Sequence, residues 1–444
     1  MMNLLSIVHA FLAVAPWLLV IFWIWGRVDA WYLNKHGKLY KPVPKPEKPR
    51  YKTQDVSVLV CTIGPNYNFA LCVRRWLANN PLELIFVTTN DRVDIISAIL
   101  DKVKITLSPA QAAKIRLLST PIVNKRVQMI EGVNAARGSI LATVDDHILW
   151  TENMLEHMLP CFEDPQIGGV GPSTDVYIPA DRQNQDCITV AETIATRMAW
   201  KRKGGGGMAF AATDWVWILA GTTTLFRTTI LQDPKFQHAH QHDYWMGHKL
   251  AVGDDTFISR WLQRHGWMLA IQAMPETMIA RTMHTTSAAY IKQNLRWERS
   301  TIQSHWRTLW EVRDIWNRPY ALVKTIERCV RPALTVVHIL AWMAAFVKAP
   351  RFTAIFFIYY IVRGAPSYCQ FFAEYPYMLR YFWYVVLVDF SYIVFDLWAW
   401  ATINDNHWGT RNIPHEEAQW KTEGDGQGEG AVETTTEDTD RTGP

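Results

Sequence analysis

The sequence predicts an α/β fold in which a mostly parallel sheet, with helices on both faces, is joined to membrane helices at both ends. Three observations predict it. Short β-branched apolar runs alternate with amphipathic stretches between residues 55 and 284, and strand–helix alternation of this kind builds parallel sheets that helices must cover. Residues 4–25 are almost entirely apolar, close to the roughly 20 residues that cross a bilayer as a helix. Long apolar segments return after residue 329.

The first apolar segment, residues 1–26, has no basic region before it and no small-residue cleavage site after it. It therefore reads as a retained membrane anchor rather than a leader. Residues 27–54 form a basic, Pro-rich linker, and by the positive-inside rule this flank is cytosolic. The N-terminus then lies outside or in a lumen. The run Pro42 to Pro49 is expected to be stiff and extended.

Residues 55–284 carry the alternation. Strands are expected at Val56–Ile63, Glu83–Thr89, Ile115–Ser119, Ile140–Val144 and Ile167–Val170, with helices at Tyr67–Asn80, Val93–Val103 and Lys125–Arg137. The run Trp215–Phe226 reads as a further strand broken at Gly221, followed by a His-rich loop and a helix from Asp254 to His265 that Gly266 stops. In such sheets ligands bind beyond the carboxyl ends of the strands.

Residues 285–328, rich in Trp and Arg, read as amphipathic helices at the membrane surface. Residues 329–404 hold three apolar segments, Pro332–Val347, Phe352–Phe372 and Tyr381–Ala401. Arg363 and Pro366 mark the middle one as broken or re-entrant. Asp389 and Asp396 in the last are expected to face protein or a water-filled path. Residues 405–414 form a short loop, and the acidic tail 415–444 is expected to be disordered.

Composition narrows the function. Hydrophobic residues make up 49% and there are 22 Trp, which suits a membrane interface or sugar stacking. The basic residues are scattered in a membrane pattern rather than in a nucleic-acid footprint. The cysteines Cys61, Cys72, Cys161, Cys187, Cys329 and Cys369 make no C-x-x-C pair and no zinc spacing, so free thiols in a reducing compartment are expected.

Four motifs carry chemistry. Asp145-Asp146-His147 follows a strand, where carboxylates can hold the divalent cation that a diphosphate requires; adjacent acids there also make turns. Gly253-Asp254-Asp255 opens a helix, where one acid can be an N-cap and the other a general base. Gln293, Arg296 and Trp297 share a helix face. There Arg can grip a diphosphate with its fork and Trp can support a sugar ring, although interfacial helices use the same residues as anchors. Trp408-Gly409-Thr410-Arg411 follows the last apolar segment, where basic and aromatic residues are common.

An acidic cluster after a strand, then G-D-D, then Q-x-x-R-W beside membrane helices, then W-G-T resembles the family 2 inverting glycosyltransferases. Within them the chain looks like the hyaluronan, chitin and cellulose synthase group, nearest to fungal hyaluronan-synthase-like or capsule-type polysaccharide synthases. The resemblance covers Asp55 to about Arg411. It implies a GT-A type nucleotide-sugar-binding domain with Asp255 as catalytic base and Asp254 in support. It places Asp145, Asp146, Lys125 and Arg126 on the nucleotide sugar, with Asn90 or Asp91 as candidates for the uracil ring. Gln293, Arg296, Trp297, Gly221 and Thr222 would face the acceptor and diphosphate, and Trp408 to Arg411 would form a mobile loop. Asp145 and His147 would hold the metal. The family's usual motif is D-x-D, and His147 stands where the second Asp would be, which favours Mn²⁺ over Mg²⁺.

The resemblance further implies a UDP-sugar donor, a polysaccharide as acceptor and product, and a single in-line displacement that inverts the anomeric carbon. It implies an integral membrane protein with a cytosolic catalytic domain, in the plasma membrane or, alternatively, the Golgi. The apolar segments are few for a self-sufficient polymer channel, a deficit that a homo-oligomer would make up. Two rival readings stand beside this one: transfer to a membrane lipid acceptor, and a catalytically inactive membrane scaffold.

Overall fold

A computed structural model of the chain describes residues 4–65, 68–202, 205–282 and 287–405. The apolar runs assemble into one seven-stranded sheet. Its spatial order is Met268–Gln272, Ile167–Pro172, Thr223–Arg227, Ile140–Val144, Val56–Cys61, Glu83–Thr89 and Ile115–Thr120. Thr223–Arg227 runs antiparallel to both neighbours, and every other pairing is parallel. Side chains alternate across a strand, so Val56, Val58 and Val60 enter one core with Trp76 and Phe86, while Leu59 enters the other with Met129 and Phe226. Helices Phe69–Ala78 and Val93–Lys104 cover the first face, and Lys125–Ala135 and Asp254–Arg264 the second. Each fully buried Val or Leu there contributes about 1.5–3 kcal/mol. A smaller sheet of Ile148–Leu149, Ile279–Thr282 and Thr174–Tyr177 flanks the large one.

Several expectations are corrected. The strand expected over Trp215–Phe226 is confined to Thr223–Arg227. Its first part leaves the ladder because the Leu219 and Gly221 N–H groups donate to Ser259 and Asp255, and the Val216 carbonyl accepts from Gln263, all on the helix Asp254–Arg264. The His-rich loop contains a helix, Pro234–Gln241, whose start is fixed by Asp233 accepting from the Lys235 N–H and by Pro234 in the first turn. The helix at Asp254 does begin and end as expected: Gly253 supplies a φ of +73° before it and Gly266 a φ of +81° beyond its cap.

The first helix runs from Leu4 to Gly37, so the basic stretch 27–37, expected as linker, is helical. It lies antiparallel to Pro319–Lys348, with Ala15 and Leu19 on Ala341, Ala344 and Ala345, Phe22 on His338, and Tyr32 on Tyr320. These two helices are long and apolar enough to cross a membrane. A third span results if Pro376–Phe390 and Tyr392–Ala401, bent by 46°, are counted as one. The break therefore falls in the last apolar segment; Pro350–Glu374 passes through Pro366 as one helix. Asp389 meets Arg197 at 2.7 Å and Asp396 meets Arg331 at 2.6 Å, so both carboxylates face protein.

The amphipathic region is one long helix, Ser287–Glu311, and a short 3₁₀ turn. It is not a surface element on all sides. Leu295, Ile302, Ser304 and Thr308 are buried, and the helix packs on Asp254–Arg264, on Pro319–Lys348 and on Tyr392–Ala401. It thus joins the sheet domain to the apolar helices.

Candidate active site

Four chain segments meet at one end of the sheet. Asp145 follows Ile140–Val144, and Lys125 opens a helix that the Asn124 side chain caps by accepting from the Arg126 N–H. Gly221 and Thr222 precede the antiparallel strand, and Asp254 and Asp255 open their own helix. Together Lys125, Asp145, Gly221, Asp254 and Asp255 line a pocket with Cys61 at its side.

The two acidic motifs are bound together by one cation. Lys125 Nζ stands 3.1 Å from Asp145 Oδ1 and 3.1 Å from Asp254 Oδ2. The 221–222 turn makes a second link. The Asp145 N–H donates to the Thr222 carbonyl at 3.0 Å, and the Gly221 N–H donates to Asp255 Oδ2 at 3.2 Å. Asp255 Oδ1 accepts from the Thr256 N–H at 2.8 Å. A Cβ on Gly221 would stand 3.4 Å from the Asp255 Cβ, so glycine leaves the carboxylate room.

The charges are unequal. Burial opposes the charge of Lys125, but Asp145 and Asp254 overcome it and hold the ammonium above its ordinary pKa. Burial also works against the Asp254 carboxylate, yet Lys125 and then Arg126 hold it well below the usual range. Asp255 moves the other way, pushed up by burial and by Asp254 beside it. Two carboxyl groups whose values are driven apart separate a permanent anion from a group able to take a proton.

The remaining predicted residues divide. His147 Nδ1 lies 3.1 Å from Asp146 Oδ1. Asp146 is buried and accepts from the Thr62 hydroxyl, so it supports the loop from behind instead of lining the pocket. Arg126 turns away from its neighbour. It is 2% exposed, pairs with Asp243 at 3.0 Å, and donates to the His240 and Val252 carbonyls; the structure thus removes it from the nucleotide-facing set. Asn90 and Asp91 are exposed at the end of Glu83–Thr89, with Asp91 3.3 Å from Arg92. Gln293, Arg296 and Trp297 lie on helix Ser287–Glu311, which reaches the G-D-D turn through Ser300, 3.4 Å from where a Cβ on Gly253 would be.

Trp408 to Arg411 lie outside the described residues. The chain just before them is tied to the same helix, Asp405 by Arg299 at 2.8 Å and the Ile403 carbonyl by Gln303 at 2.7 Å. Sequence reasoning missed Thr62, Asp243 and Arg281. Arg281 sits on the strand Ile279–Thr282 with its guanidinium 5.2 Å from the centre of the Trp297 ring. Ile279-Ala280-Arg281-Thr282 shows no apolar–polar alternation that would signal it, and Asp243, far from its partners in sequence, has no local signal.

Comparison with known proteins agrees with this geometry. Residues 53–300 match the family described as glycosyltransferase like family 2. An NDP-glycosyltransferase of Aspergillus luteorubrus is 32% identical over 399 residues, covering 88% of this chain and 96% of the relative. Hyaluronan synthase 3 of Homo sapiens is 22% identical over 251 residues, covering 56% of this chain and 42% of that one. In fold the chain is similar to a mannosyltransferase from Pyrobaculum calidifontis solved in complex with GDP-Man and Mn²⁺, with a TM-score of 0.52, 15% identity, and coverage of 89% and 99%. The chain belongs to glycosyltransferase family 2, with a GT-A-like α/β domain.

Proposed function

We propose that this chain is a membrane-bound inverting glycosyltransferase that moves a sugar from a UDP-sugar to the end of a growing polysaccharide. The observation that carries the reading is the Lys125 bridge between Asp145 and Asp254, which brings a nucleotide-facing acid and a candidate base, Asp255, into one pocket. The acceptor hydroxyl loses its proton to Asp255 as its oxygen attacks the anomeric carbon, and the nucleotide departs from the opposite side. One displacement inverts that carbon. A positioned base of this kind contributes roughly a hundred- to ten-thousandfold.

A divalent cation fits the residues present. Asp145 faces the pocket as an oxygen ligand, and the Asp146 carboxylate beside His147 Nδ1 orients the ring so that Nε2 keeps its lone pair. No group of three such donors occurs among the described residues, so phosphate and water would have to supply the remaining ligands. When bound it would offset the charge of the diphosphate. His147 in place of a second acid favours Mn²⁺.

The two apolar helices, or three with the bent pair, support a catalytic domain held at a membrane, on its cytosolic side by the basic flank. Their small number also favours a second reading, transfer to a lipid acceptor that enters sideways. The test is nucleotide release by the detergent-purified chain across a panel of UDP-sugars and GDP-mannose with Mn²⁺ or Mg²⁺, beside Asp255→Asn. Turnover with one donor, lost in the variant, is expected. A high-molecular-weight aqueous product supports the polymer, a lipid-extractable one the second reading, and no turnover with any donor would overturn both.

A further inference from the structure

Among the described residues, the half-buried Arg281 differs from the buried arginines in having no counter-charge. Arg126, Arg197, Arg260 and Arg299 each meet a carboxylate, Asp243 at 3.0 Å, Asp389 at 2.7 Å, Glu311 at 2.7 Å and Asp405 at 2.8 Å. Arg281 forms no salt bridge with any carboxylate of the described residues, and its Nε is buried with no hydrogen-bond partner. Burial of a guanidinium without a paired anion is costly. Burial accordingly pushes the Arg281 pKa down, with Tyr290 and the more distant Asp145 opposing and Arg202 adding to the fall.

Its position is fixed from two sides. Arg281 stands across from Ile148 in the small sheet, and Thr282 donates both its N–H and its hydroxyl to the His147 carbonyl, at 3.0 and 2.9 Å. The strand is therefore fastened to the loop that carries Asp145. Two residues earlier on the same strand face, Ile279 is fully buried in the core. On the other side the guanidinium lies 5.2 Å from the Trp297 ring centre, a stacking distance. Stacking holds the plane of the fork while its N–H edges stay available for an anion.

We propose that Arg281 binds the diphosphate of the sugar donor, between the Asp145 loop and the Trp297 platform. The assignment rests on the transferase reading above. In the transfer step the bond from the anomeric carbon to the β-phosphate oxygen breaks, and its electron pair stays on that oxygen. The acceptor oxygen forms the new bond to carbon, and its proton passes to Asp255. Arg281 takes no proton; its fixed charge offsets the negative charge that grows on the departing diphosphate.

The test is titration of UDP and GDP, each beside its monophosphate, into the full chain in detergent with Mn²⁺. Wild type is compared with Arg281→Ala, Arg281→Lys and Trp297→Ala, and thermal unfolding is read on each. Arg281→Ala is expected to weaken diphosphate binding roughly 10- to 100-fold, the scale of lost hydrogen bonds to a charged group, and to leave monophosphate binding unchanged. Arg281→Lys should recover part of it, since a point charge lacks the fork, and it carries the test if the Ala variant does not fold. Trp297→Ala, which removes the ring that positions the fork, should weaken diphosphate binding in the same direction but by less than Arg281→Ala. Equal loss for mono- and diphosphate, or wild-type diphosphate affinity in Arg281→Ala and Arg281→Lys, would overturn the assignment alone. A wild-type chain that binds neither diphosphate would overturn the transferase reading and this inference with it.

Discussion

Lys125 and Arg126 are adjacent at the start of one helix, yet they belong to two different charge clusters. Lys125 reaches into the pocket and holds Asp145 and Asp254. Arg126 points the other way into a cluster in which two carboxylates, Asp243 and Glu311, pair with three arginines, Arg126, Arg260 and Arg307. The first cluster opens on the pocket, where a ligand can exchange with its ion pairs. The second is centred on a buried pair, although Asp243, Arg260, Arg307 and Glu311 also line a separate cavity. Asp243 and Arg126 are each 2% exposed, and although burial opposes it, Arg126, Arg307 and Arg260 draw Asp243 below the usual carboxylate range. The two are joined because Arg126 holds the Val252 carbonyl, one residue before the G-D-D turn. Similar residue types thus serve as machinery or as scaffold according to what surrounds them.

This contrast is open to test, and the largest effect is expected in the front cluster. Asp255→Asn should cut nucleotide release roughly a hundred- to ten-thousandfold with an unfolding midpoint close to wild type. A matching fall in midpoint would make Asp255 scaffold. In the rear cluster the effects should be reversed. Asp243→Ala strands three guanidinium groups beside Glu311 alone and should cost about 3–5 kcal/mol of stability, read by denaturant unfolding in detergent. Retained stability with lost turnover would dissolve the distinction.

A finer test separates the two acids. A base acts only when ionised, so the rate should fall as pH drops through the raised pKa of Asp255. Asp254→Asn removes the anion beside it, makes ionised Asp255 cheaper, and should move the acid limb to lower pH by roughly one unit. A limb that stays in place would assign the titration to another group. The smallest effect belongs to His240, fully buried against Phe236 with both ring nitrogens unpaired. Burial, aided by Arg126, holds its pKa at about 3, so it stays neutral when folded and takes up a proton on unfolding. Stability should therefore fall as pH drops from about 6.5 toward 3. His240→Phe should flatten that fall and add about 1 kcal/mol at neutral pH, read as the midpoint at neutral and acidic pH.

Much of the fold was legible because its signals are local. The β-branched runs Glu83–Thr89 and Ile140–Val144 form strands with the predicted bounds, since a buried parallel strand needs a continuous apolar stretch. The G-D-D turn could be placed because only glycine readily takes the +73° φ at residue 253. The strand expected at Trp215 is shorter because the hydrogen bonds that replace the ladder come from Asp255, Ser259 and Gln263, distant in sequence. The burial of the amphipathic helix's polar face, Ser304 and Thr308 among it, between other helices could not be read from the sequence, because the helices that cover it are separate elements.

The sequence by itself determined the alternating sheet, the acidic motifs at the ends of their elements, and the apolar helices, because each follows from periodicity, backbone preference or length within one segment. Only the tertiary structure decided that Lys125 bridges two motifs while Arg126 does not, that Asp146 faces Thr62, and that Arg281 Nε has no hydrogen-bond partner among the described residues. The direction and company of a side chain depend on residues a hundred or more positions away, and no local pattern encodes them.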